Sequence, residues 1–218
     1  MLDGVTEILR TDRLRLRELT LADADGLLAI FGDPEAMRYY PTTKDRTGTE
    51  GWIRWCLKSY QENGFGLWAI ERATDDAFLG DCGVMLQPVE DRQVPEIGYH
   101  LLPGEWGRGY ATEAAGACRD WLFRETTYQE VVSIVDPANR RSRAVAERVH
   151  ARMRPIVWGS QHRTMCLYST ARTDVEPLAT APPGSLPAVA DGDSGRETSP
   201  DGAAEAGLDD VDGVGDDV

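Results

Sequence analysis

Apolar and charged residues alternate from Arg13 to Arg17 (RLRLR), the pattern of a strand with one buried face. The period then lengthens: Leu21, Ala24, Leu28 and Phe31 recur at helical spacing behind Thr20, a residue suited to capping a helix start. Asp33-Pro34 ends that run, because proline pushes the residue before it out of helical angles. Gly48 to Glu62 predicts a second helix, with Trp52, Trp55, Cys56 and Leu57 in its apolar stripe. Three strand-like runs follow: Phe65–Glu71, Phe78–Leu86 and Glu96–Leu102. Turn-forming stretches separate them, Ala73–Asp76 and then Pro88–Pro95, which predicts antiparallel hairpins. Ala111, Ala114, Ala115, Cys118, Trp121 and Leu122 line one face of a third helix. Glu130–Val135, rich in β-branched residues, predicts a buried strand. Ser142 to about Arg152 reads as a fourth helix, and Ile156–Trp158 and Arg163–Ser169 as two closing strands. The order predicts an α/β (α+β) domain with a mixed, mostly antiparallel sheet flanked by helices.

Charge divides the chain. Its 218 residues carry a net charge of -14, but Ala171 to Val218 holds 12 acids against two arginines, leaving 25 acids and 21 bases before it. This stretch has no Phe, Trp, Tyr or Lys and is dense in Pro, Gly, Ala and Asp. Such a segment buries too little apolar surface to offset its ordering entropy, so 171–218 is expected to be a disordered acidic tail on a domain spanning 1–170. A docking or autoinhibitory role is the alternative for the tail. The acidic balance argues against nucleic-acid binding, which needs cationic surface. No apolar run approaches the roughly 20 residues of a membrane span, and the N-terminus lacks the basic-then-apolar layout of a secretion signal. Cys56, Cys82, Cys118 and Cys166 lie far apart, as expected for reduced, mostly buried thiols in a cytoplasm. The three histidines (His100, His150 and His162) share no metal-ligand spacing, so no metal is expected.

The chemistry concentrates in Leu101–Ala115, LLPGEWGRGYATEAA. A strand ends, a loop bearing Gly107 and Gly109 turns, and a helix begins. Glycines let backbone amides approach a ligand, and the first helical turn offers unpaired N–H groups at the positive end of the dipole. Together these make a cradle for phosphate or pyrophosphate. No Gly-Lys-Ser/Thr follows, so this is not a Walker loop.

Trp106-Gly107-Arg108-Gly109-Tyr110-Ala111 resembles the acyl-CoA pyrophosphate loop of the GNAT superfamily, Gln/Arg-x-x-Gly-x-Gly/Ala. The order of elements is similar too, and EIGYHL, WGRGYATEA and NRRSRAVAERV are most similar to the ribosomal-protein-alanine N-acetyltransferase-like branch. The resemblance implies a GNAT-like fold using acetyl-CoA as co-substrate, held in a V between the strands of Glu96–Leu102 and Glu130–Val135. It implies that the Leu101 backbone meets the acetyl and pantetheine groups, and that amides from Arg108 to Thr112 take the pyrophosphate. Arg108 either adds a charge contact or is a solvated loop arginine. Trp106 replaces the usual Gln or Arg and is expected to pack rather than read the ligand. Asn139 is expected to cap the fourth helix, with a second role toward the pantetheine arm implied by the resemblance. The tyrosine that many members use to protonate the thiolate would stand at Ala146 and is absent, so Ser142 is the implied substitute, as acid or as holder of a water. His150-Ala151-Arg152-Met153 lacks the glycine that usually closes that helix, which leaves its end open.

Glu96 is the base candidate, with a strand-end salt bridge or hydrogen bond as the alternative; His100, two positions past Gly98 on the same face, is a weaker one. Glu113 is expected to serve the helix start or contact strands. Tyr39, Tyr40, Trp52 and Trp55 are either core or the wall of an acceptor pocket. Two functions follow: acetyl transfer from acetyl-CoA to a primary amine (peptide N-terminus or small molecule) in a ternary complex, by a cytoplasmic monomer or homodimer, or a non-catalytic acyl-CoA-binding module of the same fold.

Overall fold

The computed structural model describes residues 6–159 and 162–175. Its sheet has eight strands in the order β1-β2-β3-β4-β5-β6-β8-β7. These are β1 Glu7–Arg10, β2 Leu14–Arg17, β3 Leu67–Arg72, β4 Phe78–Val89, β5 Arg92–Leu101, β6 Glu130–Val135, β7 Arg152–Trp158 and β8 Arg163–Ala171. The helices are α1 Ala24–Phe31, α2 Arg46–Asn63, α3 Tyr110–Glu125 and α4 Arg140–Val149. Alternation along β3 divides the core. Trp68 and Ile70 pack with the Ala114, Cys118 and Trp121 face of α3, while Leu67 and Ala69 pack with Leu27, Phe31, Trp52 and Ile53 of α1 and α2. The mixed, mostly antiparallel sheet between helices is the architecture expected from the sequence.

Four local readings change. β1 was not expected: it is a short edge strand with a largely exposed pattern, so period-two burial leaves no mark on it. The β4–β5 hairpin runs on through Pro88 and Pro95 to a tight turn at Glu90, where φ is 54°. Val89 and Val94 are buried there with Val132, Ile156 and Leu167, and this burial overrides the proline signal. α4 ends at Val149 rather than near Arg152, and β7 begins at Arg152 rather than Ile156. Finally, the chain expected to be tail from Ala171 is still part of the fold at its start. β8 includes Ala171, and the Arg172 guanidinium donates to the carbonyls of Phe123, Thr126 (2.6 Å) and Tyr128 (2.9 Å). The remainder of that expected tail, from 176 on, lies outside the described residues. Among the described residues no helix is long and apolar enough to cross a membrane.

A buried histidine ends α4 without a glycine. His150 is extended (φ -109°, ψ 152°), and its ring nitrogens stand 3.1 Å from the Thr170 hydroxyl and 3.0 Å from the Ser133 hydroxyl. Burial, helped by the Arg119 charge, pushes this imidazole from 6.5 down to about 4. Unfolded, the ring takes a proton near pH 6.5; folded, it resists until about pH 4. Stability from this group is therefore complete above pH 6.5 and is lost as pH falls toward 4, in total by about 3 kcal/mol. Urea melts at several pH values should show that fall in the parent protein and a flatter profile in His150→Gln. Parallel profiles would remove His150 from the account.

Candidate active site

β5 and β6 form the parallel pair of the sheet, and their register is confined to Glu96 opposite Val132. Past that point side chains bridge the strands. Ser133 Oγ donates to the Ile97 carbonyl (2.9 Å), and the Ile134 amide donates to a Glu96 carboxylate oxygen (2.9 Å). The expected opening between these strands is present.

At the end of β5 the chain makes one 3-10 turn, Pro103–Glu105, before the glycine loop. Gly107 (φ +77°) and Gly109 (φ +82°) both hold left-handed backbone, a conformation that side chains resist. Gly109 is the N-cap of α3 and brings no side chain to it. The first helical bond runs from the Glu113 amide to the Gly109 carbonyl (3.1 Å), leaving the amides of Tyr110, Ala111 and Thr112 outside the helical ladder. Those amides are the expected anion cradle.

Arg13, from the start of the chain, braces this loop. Its guanidinium donates to the Arg108 carbonyl (3.0 Å) and to Glu113 (2.6 Å), and lies 4.8 Å over the Tyr110 ring. Burial opposes the Glu113 charge, but hydrogen bonds from Thr11 and Arg13 hold its carboxyl below the usual range, so Glu113 ties the helix start to the turn between β1 and β2. Arg108 pairs with Glu105 (3.3 Å) and stays half exposed. Trp106 packs, as expected: its indole N–H donates to the Leu101 carbonyl (2.9 Å), and Arg141 stacks 4.6 Å over its ring. The Leu101 carbonyl thus already accepts one protein bond.

A cavity of about 160 Å³ runs along β5 and through the opening. On its α3–α4 side stand Tyr99, Asn139 and Ser142. Asn139 caps α4 by accepting from the Ser142 amide (3.1 Å). The Tyr99 hydroxyl lies 2.9 Å from Ser142 Oγ and donates to the Ser142 carbonyl (3.0 Å). Burial pushes the Tyr99 phenol above its ordinary range. Ala146, the slot of the missing tyrosine, is buried against Val135 and Tyr168. Nothing in the sequence pattern pointed to Tyr99, because its partner lies 43 positions away.

The α1–α2 side of the cavity carries Tyr39, Tyr40, Trp52, Gln87, Glu96 and His100. Three of the four aromatics named from the sequence line it. Trp55 instead stacks on Trp52, 5.5 Å between centroids, and is absent from the lining. Gln87 is 6% exposed, and its side-chain carbonyl is buried without a hydrogen-bond partner. A polar group entering the cavity would satisfy it. His100 shares the Glu96 face, as alternation required. Among the described residues no group of three or more His, Cys, Asp or Glu is placed to hold a metal ion.

The family profile described as Acetyltransferase (GNAT) domain matches residues 13–152. The chain belongs to the GNAT acetyltransferase family. It is 39% identical over 140 residues to the uncharacterized protein YkkB of Bacillus subtilis strain 168, covering 64% of this chain and 81% of that one. Among solved structures it is similar to an acetyltransferase from Agrobacterium tumefaciens strain C58, with TM-score 0.66, 31% identity, and coverage of 78% of this chain and 96% of the other. The same fold recurs in RimL, a ribosomal L7/L12 alpha-N-protein acetyltransferase solved with coenzyme A. There the TM-score is 0.62 at 16% identity, over 78% of this chain and all of RimL. The protein is an acetyl-CoA-dependent N-acetyltransferase.

Proposed function

We propose that the enzyme acetylates a primary amine, a peptide N-terminus or a small-molecule amine, by direct attack in a ternary complex with acetyl-CoA. The cavity through the β5–β6 opening carries this reading, because it joins Tyr99, Asn139 and Ser142 at the start of α4 to a wall of aromatic and carboxylate groups. The thioester arm enters from the loop end. Amides from Arg108 to Thr112, with the loop held by Trp106, Gly107, Gly109, Tyr110 and Ala111, take the pyrophosphate, and Arg108 adds charge. The open edge of β5 up to Leu101 offers backbone groups to the amides of the arm, and Asn139 reaches it from α4.

The acceptor enters on the Glu96 side, where the carboxylate, anchored on the Ile134 amide, takes the first ammonium proton. The neutral amine attacks the thioester carbon. Ser142, linked to Tyr99, returns a proton to the departing thiolate. The enzyme works in the cytoplasm as a monomer or homodimer, its catalytic domain spanning 1–170 or slightly beyond. Thiol release from acetyl-CoA, measured against a panel of amines and N-terminal peptides, tests the reading: at least one acceptor should turn over. Tight acetyl-CoA binding with no turnover on any acceptor would instead identify a non-catalytic binding module.

A further inference from the structure

Behind the acceptor wall lies a buried chain of groups that the steps above leave unused. Asp81, in the middle of β4 and fully buried, accepts from the Trp52 indole N–H (3.0 Å) and from His100 Nδ1–H (2.7 Å). His100 Nε2 stands 2.8 Å from the Tyr40 hydroxyl, and Tyr40 and His100 both line the cavity. Phe31 and Trp52 meet the imidazole edge-on, with centroids 5.1 and 5.7 Å away, and fix its orientation. When the ring is neutral with its Nδ1–H on the carboxylate, Nε2 accepts the Tyr40 O–H. A phenol oxygen used in this way keeps the capacity to accept an N–H.

Acetylation of an ammonium group removes two protons from nitrogen, one before attack and one after it. We infer that Tyr40, backed by His100 and Asp81, takes the second. This rests on the amine-acetylating reading above, in which Glu96 takes the first. As the C–N bond forms, the amine's lone pair is shared with the thioester carbon, the carbonyl π pair moves onto oxygen, to return when the C–S bond breaks, and nitrogen becomes positive. Its proton passes to the Tyr40 oxygen while the Tyr40 proton passes to His100 Nε2. The C–S bond then breaks, and the thiolate leaves with the electron pair and is protonated from the Ser142 side. The imidazolium formed faces the Asp81 carboxylate until its proton returns through Tyr40 to water.

Other charged groups surround the chain at greater remove. Lys44 lies 5.5 Å over the Trp52 ring and 5.9 Å over the Phe31 ring, Glu96 shares the β5 face, and the Asp136–Arg163 pair stands across the cavity.

Tyr40→Phe and His100→Gln should each lower kcat by about 10²-fold, within the range for a positioned proton acceptor, with acetyl-CoA Kd by calorimetry unchanged. The double variant should be no slower than the singles, since both lie on one proton route. The acid limb of the kcat–pH profile should lose the step set by the imidazole in His100→Gln, keeping the one set by Glu96 and the acceptor, and should keep the imidazole step in Glu96→Gln. In the unliganded protein, the NMR titration of the His100 ring should move to lower pH in Asp81→Asn, because the carboxylate that favours the imidazolium is gone. Full turnover in Tyr40→Phe, or slowed variants whose acid limb stays in place, would overturn the relay while leaving acetyl transfer intact. An unmoved His100 titration in Asp81→Asn would overturn the coupling of ring and carboxylate. Failure of the unaltered enzyme to acetylate any amine would overturn both readings.

Discussion

Gly109→Val should abolish useful acetyl-CoA binding, raising Kd by about 10²-fold or more in a chain that still folds. Two effects act together. Gly109 sits at φ +82°, where a β-branched residue is strained by about 1–3 kcal/mol, so the start of α3 shifts to relieve it. A Cβ at this position would also lie 3.4 Å from the Arg13 guanidinium that braces the loop. Two charge-assisted hydrogen bonds from helix-start amides are together worth about 3 kcal/mol or more, hence the hundredfold. Gly104→Ala is the control, because a Cβ there meets nothing within 4 Å and the residue lacks positive φ; its Kd should match the parent's. Calorimetry on both, with melting curves to verify folding, decides the point. An unchanged Kd in folded Gly109→Val would show that these amides do not hold the pyrophosphate.

The second large effect is expected at Glu96. Glu96→Gln keeps an oxygen to accept the Ile134 amide, so the strands should stay bridged and acetyl-CoA Kd should hold. Turnover should fall 10²–10⁴-fold, and the deficit should shrink as pH rises because more acceptor is already neutral. Ser142→Ala should cost less, since water can replace a weak hydroxyl donor, and high pH should not rescue it. Tyr99→Phe removes the group hydrogen-bonded to Ser142 Oγ. If the two act as one proton donor, Tyr99→Phe and Ser142→Ala will be non-additive in a double-mutant cycle. A parent-like rate in Glu96→Gln would reduce Glu96 to the amide contact it makes with β6, leaving water or the acceptor's own ionisation as the base.

The geometry of the glycine loop was readable because it is a backbone property. Gly107, Gly109 and the helix start occupy neighbouring positions, and local sequence suffices to place unpaired amides there. The cap on α4 was readable for the same reason, since Asn139 and Ser142 are three positions apart. The helix stop at His150 was not, because it depends on Ser133 and Thr170, which arrive from β6 and β8.

The same division runs through the whole protein. Periodicity determined most of the strands and helices, since each face must bury its apolar residues whatever its partner is, though not the edge strand β1 or the boundary between α4 and β7. Motif spacing determined the glycine loop before α3 and, through the resemblance it carried, the family. Tertiary structure alone decided which side chains share the cavity. Tyr99 meets Ser142 across 43 positions, His100 meets Asp81 across 19, and Tyr40 meets His100 across 60. Arg13 likewise reaches Glu113 across 100 positions to brace a loop that its own neighbourhood does not mention. Such contacts form only when the sheet orders its strands, and one sequence carries no periodic signal for them. Burial on a face is a local property of the chain; the choice of hydrogen-bond partner is a property of its topology.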